Sequence, residues 1–163
     1  MGLIKGATMK ITKVKSNNGK IEIHYSKRNS SLSSETDEFT LKCADRPLPG
    51  FDEALLALRQ TVIDICEFTN EDPEKYEVFG VSFSWTDGVM GAVISAKKTL
   101  LDSNAPLCIN TPHKPSEAYS EGADDSNLLG SSAVTALENL IEEAIKYVDG
   151  NRAQGNLFEQ KAA

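Results

Sequence analysis

The amino-acid sequence predicts an α+β fold: an antiparallel sheet of about six strands with two helices packed on one face. Three observations predict it. Short runs alternate apolar and polar residues with a period of two. Asn18-Gly19 and Asp87-Gly88 sit between such runs as tight hairpin turns. Two longer segments, near 51–68 and 131–148, instead carry apolar stripes at helical spacing.

Taken in order, residues 1–8 read as an N-terminal extension, and Met9-Lys-Ile-Thr-Lys-Val14 opens the first strand. Asn17-Asn18-Gly19 turns the chain, because Asn and Gly tolerate positive φ. The returning strand sets Ile21, Ile23 and Tyr25 against Glu22 and His24 on its other face. A Ser-rich loop from Ser26 to Thr36 follows, then a third strand with Phe39, Leu41 and Cys43 opposite Thr40 and Lys42. Pro47 and Pro49 end it.

The first helix is expected from about Phe51 to Phe68, with Leu55, Leu58, Val62 and Ile65 as its stripe and Asp52 and Glu53 in its first turn. After an acidic loop broken by Pro73, Tyr76–Trp85 reads as a strand. Phe79, Val81, Phe83 and Trp85 are expected on one face, Gly80, Ser82 and Ser84 on the other. Met90–Leu100 pairs back across Thr86-Asp87-Gly88, and Leu107–Thr111 supplies a short sixth strand. Residues 112–128 are a long polar loop, and such loops are functional or disordered. The second helix spans Ser131 to Val148, with Ser131 or Ser132 as its cap and Val134, Leu137, Ile141, Ala144, Ile145 and Val148 as its stripe. Asp149-Gly150 stops it. The order βββα–βββα suggests two similar halves. Residues 9–150 thus form one domain, and 151–163 a C-terminal tail. Leu58, Ile65, Phe83, Trp85, Leu137 and Ile141 are expected to be buried together.

At 163 residues, 40% of them apolar and 25% charged, the chain can bury a real core. No segment has the length of a membrane span, and the N-terminus lacks a signal peptide's apolar region, which implies a cytoplasmic protein. Cys43, Cys66 and Cys108 have no metal-ligand or redox spacing and read as small buried hydrophobes. The net charge of −7 is uneven. Residues 1–50 hold nine Lys or Arg against five Asp or Glu, and 51–163 hold eight against nineteen. An acidic body repels phosphates, so direct nucleic-acid binding by the domain as a whole is disfavoured. The basic strip of Lys10, Lys13, Lys15, Lys20, Lys27 and Arg28 could touch phosphate locally, although lysines of this kind more often protect an edge strand from aggregation.

Signals for catalysis are faint. His24 reads as a solvated strand position beside Glu22. His113 lies in Asn110-Thr111-Pro112-His113-Lys114-Pro115, which offers Asn110, Thr111, His113 and Lys114 as a ligand loop but has no metal-ligand spacing. There is no phosphate-binding glycine loop and no nucleophile elbow. Gly80-Val-Ser-Phe-Ser84 has the pattern of a strand. Glu142-Glu143 point apart on a helix, and carboxylates 117–125 lack a calcium-loop pattern. The expectation is a protein that is not an enzyme and uses neither cofactor nor metal.

The tail carries the most specific signal. Gln154-Gly155-Asn156-Leu157-Phe158 resembles the pentapeptide with which bacterial replication and repair proteins grip the β sliding clamp. Such a peptide seats its Leu and Phe in an apolar cleft while the Gln amide, both donor and acceptor, fixes its register. Gly155 departs from the favoured Leu, removing one apolar contact and adding backbone entropy. The competing reading is a hydrophobic latch that folds back on the body. Beyond the tail, Met9-Lys-Ile-Thr-Lys-Val14, Phe51-x-x-Ala-Leu-x-Ala-Leu58, Val81-Ser-Phe-Ser84, Asn110-Thr-Pro-His-Lys-Pro115 and Asp149-Gly-x-Arg-Ala-Gln-Gly-Asn-Leu-Phe158 resemble a group of phage and prophage proteins found with recombination and replication genes. The resemblance implies a phage accessory protein acting in the host cytoplasm. The expected function is docking on the clamp through Gln154, Leu157 and Phe158. The alternative is an acidic DNA-mimic-like inhibitor of a host nucleic-acid-binding or defence enzyme.

Overall fold

The first strand of each half lies at the centre of one antiparallel sheet, in a computed structural model that describes residues 9–28, 36–118 and 127–153. The elements are β1 (Met9–Asn17), β2 (Lys20–Arg28), β3 (Thr36–Cys43), α1 (Pro49–Ala57), α2 (Arg59–Ile65), β4 (Tyr76–Thr86), β5 (Val89–Lys98), β6 (Leu107–Asn110), β7 (Lys114–Pro115) and α3 (Ser131–Val148). The strand order is β3-β2-β1-β4-β5-β6, with β7 also on β5. Each half is a three-stranded meander followed by helix. The α1–α2 segment carries the chain from the outer strand β3 back to β4 beside β1.

Turn chemistry sets the hairpins. Asn18 and Gly19 have φ of 54° and 79°, and Asp87 and Gly88 have 51° and 79°. Both are two-residue turns with positive φ at each centre, which matches the twist of the flanking strands. Alternation then sends one set of side chains inward. Ile11, Val14, Ile21, Ile23, Val81, Phe83, Ile94 and Ala96 are buried beneath the helices. Four of the six residues expected to be buried together, Leu58, Phe83, Leu137 and Ile141, join this core, whereas Ile65 and Trp85 are only partly covered. The bulky indole stays partly exposed and donates to the Ile11 carbonyl at 2.9 Å.

Several expected details are corrected. The first helix begins at Pro49, which sits at the helix start where its missing N–H costs nothing, and not at Phe51. It bends at Leu58 into α1 and α2 and ends at Ile65, short of Phe68. α2 closes with Phe68 N–H to Ile63 O and Glu67 N–H to Asp64 O, which requires Glu67 at φ 59°. α3 is capped by Gly130 with no side-chain hydrogen bond, so neither Ser131 nor Ser132 caps it. Its buried face is Ala133, Ala136, Leu137, Leu140, Ile141, Ala144 and Tyr147, rotated from the expected stripe so that Val134, Ile145 and Val148 lie at its margin.

In β4 the register against β5 shifts between Val78 and Gly80. Phe79 is the extra residue of this bulge, so Val78 enters the core and Phe79 does not share the face of Val81. Cys108 is exposed, opposite Lys97 at the sheet edge, while Cys43 and Cys66 are half-buried. The loop expected over 112–128 contains β7, and Leu129 beyond it enters the core. Among the described residues no helix is long and apolar enough to cross a membrane.

Candidate functional site

The helices cover one face of the sheet, and the opposite face presents the polar half of every strand. Register fixes which residues meet there. Lys13 lies beside His24 on one side and Ser82 on the other, and Lys15 lies between Glu22 and Gly80. The rows continue from Ser82 to Val93, from Gly80 to Ser95 and from Ser84 to Gly91. Asn110 borders Ser95 on β6.

Two hydrogen-bonded pairs organise this open face. On its β2–β3 side, His24 Nε2 is 2.6 Å from Glu22 Oε2, and Thr40 Oγ1 is 3.4 Å from His24 Nδ1. The imidazole contact, followed by the nearby Lys42 charge, holds the Glu22 carboxyl below its ordinary range. On the β5–β6 side, Ser84 Oγ and His113 Nε2 are 2.8 Å apart, directly over Gly91. A Cβ at position 91 would meet His113 Nε2 and, at 2.7 Å, Ser84 Oγ. Glycine is therefore the residue that lets the pair close.

The four residues of the expected ligand loop are not brought together in one place. Asn110 accepts a 2.6 Å hydrogen bond from Ser95 Oγ, and His113 reaches Ser84, so both serve the open face. Thr111 is buried, and its Oγ1 accepts from the Ile94 N–H at 2.9 Å while its own N–H donates to Ile94 O. It satisfies strand β5 where β6 gives way to β7. Lys114 lies elsewhere, lining a cleft with Thr61, Asp64, Leu129 and the start of α3.

Ser84 and His113 stand at nucleophile–base distance. Among the described contacts no carboxylate orients the His113 ring, and such an orienting group completes the catalytic arrangement elsewhere. No group of three or more His, Cys, Asp or Glu is placed to hold a metal ion among the described residues. The geometry suits hydrogen bonding to a ligand laid across the sheet. A second concavity, 380 Å³ between the α1–α2 bend and β4, holds Asp52, Glu74 and Arg59, whose buried Nε has no hydrogen-bond partner among the described residues.

Gln154, Leu157 and Phe158 lie outside the described residues. The point from which they depart is fixed by a clasp that sequence reasoning missed. Arg152 packs over the Tyr147 ring at 4.3 Å, donates to Tyr147 O at 3.1 Å through Nε, and reaches Asp45 Oδ2 at 2.8 Å and Cys43 Sγ at 3.4 Å. Pro47 pairs with Arg152, and the Ala153 N–H donates to Arg46 O at 2.9 Å. Arg152 holds the Asp45 carboxyl below its ordinary range, and burial raises the Tyr147 hydroxyl above its own. That hydroxyl donates to Asp45 O at 2.7 Å. The one available signal was a lone Arg just past a helix stop, and its partners Asp45 and Cys43 lie more than a hundred residues earlier.

No family model matches the chain, and no curated protein or solved structure does either.

Proposed function

We propose that the protein is a non-enzymatic accessory factor of phage DNA replication or recombination that docks on the bacterial β sliding clamp through Gln154, Leu157 and Phe158. The observation that supports this reading is positional. The pentapeptide starts at Gln154, one residue beyond Ala153, whose N–H is still bonded to Arg46. A docking peptide joined to a firmly held exit point is short enough to place the body close to its partner. The side chains of the motif supply two apolar anchors and one amide, the requirements for recognition of an extended peptide. Pull-down from a bacterial lysate with intact protein and protein ending at Ala153 tests it: the intact chain is expected to retain the clamp and the shortened chain to lose it.

A second reading draws on the helical side, where Glu53, Glu142 and Glu143 line one cleft between α1 and α3. There the acidic body would imitate DNA and occupy a host nucleic-acid-binding enzyme. In that case the chain ending at Ala153 captures its partner as well as the intact protein does.

A further inference from the structure

Lys13 and Lys15 were expected to guard an edge strand, but β1 is a central strand with β2 and β4 on its flanks. Edge protection therefore does not explain them. Together with Lys10, Lys20, Arg28, Lys42 and Lys97 they lie on the open face against Glu22, Glu38 and Glu77, a surplus of four positive charges on a chain whose net charge is −7. The negative charge lies elsewhere, so the net value hides a sheet face of opposite sign. We propose that this face binds a single strand of nucleic acid through its sugar–phosphate backbone, independently of the tail.

Shape selects the occupant. Beside Lys13 and Lys15, the β4–β5 part of the face is floored by Gly80, Ser82, Val93 and Ser95, with the Ser84–His113 pair over Gly91 and Asn110 along the far side. Gly80 to Ser84 spans about 13 Å along the strand. A floor this low, flanked by taller lysines and an imidazole, receives a chain lying along it. Among the described residues it has no ridge to enter the major groove of a duplex, which takes a helix or a projecting ribbon. Lysines neutralise phosphates and release their counterions, while hydroxyls, the Asn110 amide and the His113 ring can bond or stack on what lies between. His113 is exposed and, in the described contacts, paired through one ring nitrogen, which leaves its imidazole within reach of a base. The Lys97 ammonium lies 5.2 Å above the Phe79 ring and continues the basic surface beyond Gly80.

Fluorescence anisotropy of the full chain with a labelled oligothymidylate, at several salt concentrations, tests this, with a duplex of equal length and a poly-glutamate peptide as competitors. The single strand should bind at least about tenfold more tightly than the duplex, and binding should weaken steeply with salt. Lys13→Glu with Lys15→Glu should cost about tenfold or more and lower the salt slope by about one for each lysine, whereas Lys146→Glu on α3 should change nothing. Ser82→Glu, an exposed change on the same face, should weaken binding similarly and covers the case in which the lysine pair alters folding. Binding that is absent at low salt, that prefers the duplex, that poly-glutamate displaces as readily as unlabelled oligothymidylate, or that is equally sensitive to Lys146→Glu overturns the proposal.

Discussion

Replacing Arg152 by alanine removes the clasp that joins the end of α3 to the segment after β3. Two of its contacts are covered enough to count. The guanidinium over the buried Tyr147 ring, at 4.3 Å, contributes about 0.5–1 kcal/mol. The Nε–H bond to Tyr147 O, at 3.1 Å, contributes about 1 kcal/mol. The Asp45 carboxylate is open to solvent, and water and salt screen its share. Arg152→Ala should therefore cost about 2 kcal/mol, lowering the urea midpoint by about 1 M at an unchanged slope of about 2 kcal/mol/M. Arg152→Lys keeps the charge but loses the planar stack and the Nε donor, so it should recover less than half of that. Equilibrium urea unfolding followed by tryptophan fluorescence measures both. A loss below about 0.5 kcal/mol for Arg152→Ala, or a full recovery with lysine, would refute the clasp as described.

Three further outcomes follow from the packing and the backbone. Leu137→Ala, at a fully buried site facing the sheet, should cost about 2–5 kcal/mol in the same unfolding assay, and a cost under 1 kcal/mol would contradict the α3 assignment. Glu67 closes α2 at φ 59°, a conformation that favours glycine, so Glu67→Gly should stabilise by about 0.5–1 kcal/mol, and a loss of stability would show that its side chain matters more than its backbone. Tyr76 and Tyr147 both have hydroxyl pKa values raised first by burial, then by a hydrogen bond, to Glu71 in the case of Tyr76. A folded pKa above the unfolded one gives stability that is complete below the unfolded value of about 10 and is lost as pH rises towards the folded value. Alkaline titration by ultraviolet difference absorbance should thus show these two ionising only as the fold melts, and their smooth titration in the folded protein would contradict the burial.

The strands and turns were legible because they are local. Asn18-Gly19 and Asp87-Gly88 encode their turns in two residues each, and the alternation in β2 sorts Ile21 and Ile23 from Glu22 and His24 without reference to the rest of the chain. What escaped was non-local or invisible to periodicity. Phe79-x-Val81-x-Phe83 alternates faultlessly, yet a one-residue bulge shifts Phe79 out of the series, and the pairing partner that sets the bulge is β5. The bend at Leu58 involves no Gly or Pro, so no residue type marks it; α1 packs on α3 and β4, and α2 on β4 and β5. The open face could not be assembled beforehand, since nothing local says that β1 lies beside β4 and so brings Lys13 to Ser82. Asn110 and His113 stand out by residue type alone, but Thr111 beside them bonds the backbone of Ile94, a role that only the β6–β7 kink reveals.

Calorimetric titration of purified clamp with this protein bears most directly on the proposed function. The wild-type chain should bind with a dissociation constant of order micromolar, about −8 kcal/mol. Leu157→Ala or Phe158→Ala should abolish most of the heat, and Gln154→Ala should cost about 1–2 kcal/mol. Gly155→Leu should tighten binding by restoring an apolar contact and stiffening the peptide, a gain for which a fold-back latch offers no reason. Absence of heat for both the wild type and Gly155→Leu would contradict clamp docking.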